Sequence, residues 1–108
     1  MEERNVENVM GAGAAPAGGV LTRRVVVANQ LGLHARPAGV LAQVAQGFHA
    51  DIELVLDDQT VDAKSILDIL TLAAGQGAKL EVRAGGDDAQ AALDRLEQLF
   101  KTRFGEDK

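Results

Sequence analysis

The spacing of apolar positions changes repeatedly along this chain, and each change marks an element. Arg24-Val25-Val26-Val27-Ala28 is short and β-branched, as a strand is. Asn29 to Leu33 reads as a loop around Gly32. From Pro37 the period becomes helical, with Ala38, Leu41, Val44, Ala45 and Phe48 on one stripe. Proline suits a helix start, where its missing N–H would have had no partner, and Gly47 closes the segment. Ile52, Leu54 and Leu56 then alternate with Asp51, Glu53 and Asp57, which predicts a half-buried strand. Asp57-Asp58 turns the chain into a short strand, Gln59 to Asp62.

Ser65 is a good N-cap for a helix over Ile66 to Ala73, and Gly75-Gln76-Gly77 breaks the chain after it. Leu80, Val82 and Ala84 alternate with Lys79, Glu81 and Arg83 in a fourth strand. Asp87, with Gln90 three residues on, makes a capping-box-like start to a last helix. Its apolar stripe is Leu93, Leu96, Leu99, Phe100 and Phe104, about 17 residues of helix. The order is βαββαβα. Alternating strands want one covered face, so the predicted fold is α+β: a two-layer open-faced sandwich, a four-stranded antiparallel sheet with three helices on one face.

Composition narrows the picture. Gly11 to Gly19 is nearly all glycine and alanine, so residues 1–21 read as a flexible tail, 22–105 as the single domain and 106–108 as a C-terminal tail. With no tryptophan, no tyrosine and three phenylalanines, the core must be aliphatic. A formal charge of −5 argues against nucleic acid as a partner, while leaving room for a local basic patch from Arg23, Arg24 and Arg36. The absence of cysteine removes thiolate chemistry and zinc–thiolate sites, and His34 and His49 lack the local spacing of metal ligands. No apolar run is long enough to cross a bilayer and the opening residues do not suit a secretory signal, so the cytoplasm is expected.

The chemistry concentrates in Gly32-Leu33-His34-Ala35-Arg36-Pro37-Ala38. An imidazole and a guanidinium sit there at the mouth of a helix, where free N–H groups and the dipole favour an anion. His34 can be a neutral nucleophile near neutral pH, and Arg36 offers a planar fork of donors for phosphate oxygens. Taken alone, a histidine before a helix is also compatible with a cap or a surface residue. His49, beside Gly47, reads as plain surface.

The segment Leu33-His34-Ala35-Arg36-Pro37-Ala38 resembles the active-site signature of the HPr family of bacterial phosphocarriers, and Ala63-Lys64-Ser65-Ile66-Leu67 resembles its second signature. The resemblance spans Thr22 to Phe104 with the two motifs in register. It implies a phosphoryl-group carrier, not an enzyme, with no cofactor. His34 would be phosphorylated on Nδ1 by enzyme I using phosphoenolpyruvate, with Arg36 stabilising the phosphate. The group would then pass to enzyme II components, in sugar uptake or in a nitrogen-type regulatory relay. By the same resemblance Ser65 matches a serine phosphorylated by an HPr serine kinase/phosphorylase, and Ile66, Leu67 and Leu70 match partner-docking positions. Ser65 is equally explained as a helix cap, and Asp68 in the same turn would repel a phosphate on it. A monomer is expected, because a carrier meeting several partners through one face gains little by burying it.

Overall fold

A computed structural model of the protein describes residues 19–108; the Gly/Ala-rich tail expected at the start of the chain lies, up to residue 18, outside the described residues. The elements follow the order β1 (Val20–Val26), α1 (Ala35–Gln46), β2 (Asp51–Leu56), β3 (Gln59–Asp62), α2 (Ile66–Thr71), β4 (Lys79–Gly85) and α3 (Ala89–Lys101), with a 3-10 turn at Arg103–Gly105. The four strands form one antiparallel sheet in the order β1-β4-β2-β3. Three helices accompany it, as in the expected α+β sandwich.

Alternation sorts the strand residues. Val25, Ile52, Leu54, Leu80, Val82 and Ala84 turn inward, and Leu93, Leu96, Leu99 and Phe100 of α3 meet them from the other layer. Ala38, Leu41, Ala42 and Ala45 bury the inner stripe of α1, where small side chains let elements approach closely. The core is aliphatic apart from Phe100 and Phe104, whose rings pack edge to face with centroids 5.0 Å apart.

Boundaries shift for identifiable reasons. β1 starts at Val20, inside the stretch set apart by its composition, because antiparallel pairing with Gly85 and Ala84 on β4 recruits Val20 and Leu21. α1 starts at Ala35, so Pro37 is its third residue, still within the first turn where a missing N–H costs no hydrogen bond. Asp87 does not cap α3. Asp88 stands at the N-cap, yet its carboxylate reaches across to accept the backbone N–H groups of His49 and Ala50, each at 2.8 Å. Those bonds hold the Asp88 carboxyl below its ordinary range. The last helix is also shorter than its apolar stripe: it stops at Lys101, and Phe104 reaches the core from a left-handed turn.

Candidate functional site

His34 is the N-cap of α1, in an extended backbone conformation (φ −73°, ψ −173°), and its side chain makes no capping bond. The loop before it is fixed by backbone geometry. Gly32 has φ +68°, and a Cβ there would lie 2.4 Å from the carbonyl oxygen of Ala74. That same oxygen accepts the N–H of Leu33 at 2.9 Å, so a left-handed glycine lets the loop seat against the 73–75 segment. Helix geometry leaves the N–H groups of Ala35 and Arg36 without intrahelical acceptors, beside the imidazole.

The chain's end completes the site. Arg103, Phe104 and Gly105 are all left-handed (φ 54°, 54° and 80°), and this turn carries residues 104–106 back to the start of α1. Arg36 donates from both terminal nitrogens, Nη1 at 3.0 Å and Nη2 at 2.8 Å, to the carbonyl oxygen of Phe104. Its guanidinium is still about half exposed, with Nη1 3.7 Å from Glu106 Oε2. Glu106 places Oε2 2.9 Å from His34 Nε2 and accepts at Oε1 from the Asn29 amide at 2.8 Å. The Asn29 bond above all, then the His34 bond and the charges of His34 and Arg36, hold the Glu106 carboxyl below its ordinary range against partial desolvation.

An ionised carboxylate only accepts, so Nε2 must carry the hydrogen it shares with Glu106. In the neutral ring the lone pair is then on Nδ1, which has no hydrogen-bond partner among the described residues. Chemically this is a nucleophilic nitrogen beside a helix mouth and a guanidinium, the surroundings a transferred anion needs. An open groove of about 540 Å³ runs past Leu31, Arg36, Gly105 and Glu106.

The other residues singled out from sequence are spread around this centre. Ser65 caps α2, its Oγ accepting the N–H of Asp68 at 3.2 Å. Ile66 and Leu67 are exposed, Leu67 at 75 %, while Leu70 is half-buried against the core and Ile69 is fully inside. The basic patch is smaller than expected: Arg23 is held by Asp94 and Glu97 on α3, and Arg24 lies on β1 opposite Glu81, so of the three arginines Arg36 alone is at the site. His49 is exposed and close to Asp87 and Asp88, but both Asp88 oxygens already accept backbone N–H groups.

Sequence reasoning missed Asn29, Glu106 and Leu31. Asn29 follows a strand-like run and reads as a turn former, whereas it is fully buried. Glu106 is legible only as a residue after a glycine stop, because a left-handed return leaves no periodic trace.

Known proteins resemble this chain over most of its length. The family model for the PTS HPr component phosphorylation site matches residues 21–102. The phosphocarrier protein HPr of Treponema pallidum is 42% identical over 88 residues, covering 82% of this chain and 100% of the relative. The phosphocarrier protein NPr of Shewanella violacea is 41% identical over 86 residues, 80% of this chain and 94% of that one. Among solved structures, HPr-C-His from Thermoanaerobacter tengcongensis matches with a TM-score of 0.79 and 36% identity, over 82% of this chain and 99% of that chain.

Proposed function

The chain belongs to the HPr family of phosphocarrier proteins, and we propose that it takes a phosphoryl group from enzyme I onto Nδ1 of His34. Family members carry the group rather than catalyse a reaction. One observation carries the assignment to Nδ1: the Glu106 carboxylate occupies the Nε2 proton at 2.9 Å, leaving the Nδ1 lone pair for chemistry.

In the step, the Nδ1 lone pair forms a bond to phosphorus as the bond from phosphorus to the enzyme I histidine breaks. The proton on Nε2 stays in place. The phosphoryl group originates in phosphoenolpyruvate and leaves by the same exchange, to a histidine or cysteine of a downstream enzyme II component. Positioning and charge compensation do most of the work in such transfers. The amides at the start of α1 and Arg36 are suited to it, because a half-exposed guanidinium can trade the Phe104 carbonyl for phosphate oxygens. An exchange between imidazoles requires no cofactor.

Exposed Ile66 and Leu67, with Leu70 behind them, support docking of enzyme I and acceptors on the α2 face, and Leu31 extends the apolar surface. Ser65 is a cap first. A phosphate added there by an HPr serine kinase would meet the helix N-terminus favourably and Asp68 unfavourably. Relatives of both kinds, HPr and NPr, support an output in sugar uptake or in a nitrogen-type relay with the same chemistry. The carrier works in the cytoplasm, as a monomer presenting one face to successive partners.

The test is to incubate the chain with enzyme I and phosphoenolpyruvate and record intact mass beside His34→Ala. One acid-labile phosphate, absent from the variant and discharged by an enzyme II acceptor, is expected. An acid-stable adduct, or one that persists in His34→Ala, would overturn the reading.

A further inference from the structure

Asn29 is out of place by every criterion except one. Among the described residues it is the one polar side chain in the buried core, with no exposed surface. Its Oδ1 has no hydrogen-bond partner among the described residues, an arrangement that destabilises a fold and calls for a reason. The amide cannot simply be turned over. Nδ2 faces two acceptors, the carbonyl oxygen of Arg103 at 3.1 Å and Glu106 Oε1 at 2.8 Å, and turning it would set Oδ1 against both.

Both donated bonds therefore go to the C-terminal turn. One holds the backbone of Arg103, whose left-handed conformation (φ 54°) is unfavourable for a residue with a Cβ. The other holds the carboxylate, whose remaining oxygen receives the Nε2 proton of His34. Buried amide, carboxylate and imidazole form one line of hydrogen bonds that ends at the nitrogen opposite Nδ1.

We propose that Asn29 is a positioning residue that acts on His34 through Glu106, fixing the imidazole as its Nε2–H form and steadying the charge the ring gains as Nδ1 takes the phosphoryl group. The inference rests on the carrier reading for its purpose, but the state of the unphosphorylated ring decides it independently. When Nδ1 bonds to phosphorus while Nε2 keeps its proton, the ring becomes positive, and a carboxylate on Nε2–H lowers the energy of that state. An orienting carboxylate acts on a histidine in the same way in other nucleophilic sites. Without Asn29 the carboxylate would be free to rotate toward solvent, and both ring tautomers would be accessible.

The experiment uses the whole chain, Asn29→Ala and Glu106→Gln, with imidazole ¹⁵N shifts recorded on each before any partner is added. A single Nε2–H form in the wild type, mixed tautomers in Asn29→Ala and a rise of the Glu106 titration in that variant are expected. Charging by enzyme I should slow about tenfold in both variants at saturating carrier, with KM little changed. Glu106→Gln keeps the shape of the turn, so it reports even where Asn29→Ala folds poorly. A single Nε2–H form retained in a folded Asn29→Ala, or charging as fast as wild type in both variants, would overturn the positioning role and leave the carrier reading standing. A wild type that takes no phosphate would remove the carrier reading, while the tautomer comparison still decides the brace.

Discussion

At the scale of single residues, the site depends on positions chosen for what they lack or conceal. Gly32 lacks a Cβ, and the space such an atom would need is taken by Ala74 O at 2.4 Å and Gly75 Cα at 2.8 Å. Gly32→Ala therefore has to lift the loop off the 73–75 segment and turn a strained φ. It is expected to destabilise the fold by roughly 2 kcal/mol or more and to slow charging of His34, checked by urea unfolding and by transfer rate. His34 and Arg36 are legible because a signature places them two positions apart at a helix mouth. Asn29 is not. Polarity after a strand predicts a turn, and only the distant return of Arg103 and Glu106 gives that amide acceptors inside the core.

At the scale of elements, the helix ends carry more function than the helices. The sequence pattern marks Phe104 as apolar and inward, which it is, but extends the helix to reach it. Ending α3 at Lys101 and spending three left-handed residues keeps Phe104 in the core and aims Glu106 at His34. The pattern predicts a capping-box start at Asp87, whereas α3 has Asp88 at its N-cap. An aspartate before a helix is normally its cap, yet Asp88 is used between elements, tying the α1–β2 loop by the N–H groups of His49 and Ala50. Its carboxyl is held below the ordinary 3.8 of an aspartate, first by the His49 bond and also by that of Ala50. A depressed folded-state value contributes stability above the unfolded value and loses it as pH falls through the folded one. Asp88→Asn is thus expected to lower stability at neutral pH and to flatten its decline below about pH 4, measured by thermal melts across pH.

At the scale of the whole molecule, βαββαβα order and a one-sided helix layer follow from periodicity, because alternation and helical stripes are local. The strand order β1-β4-β2-β3 is not local, and neither is the meeting of residue 34 with residue 106. The exposed face of α2 is legible only in part: too many apolar residues in α2 show that some must face outward, and packing alone decides that Ile69 goes in while Leu67 stays out. Leu67→Asp is expected to change stability by less than about 0.5 kcal/mol, as an exposed substitution, and to raise the KM of enzyme I for the carrier about tenfold. A fold that collapses on this change would place Leu67 in the core instead. The proposed chemistry of the molecule rests on one nitrogen atom. A uniformly ¹⁵N-labelled chain charged by enzyme I and examined by ³¹P–¹⁵N NMR should show phosphorus bonded to Nδ1 of His34, with Nε2 still protonated. Phosphorus on Nε2, or on His49, would contradict it.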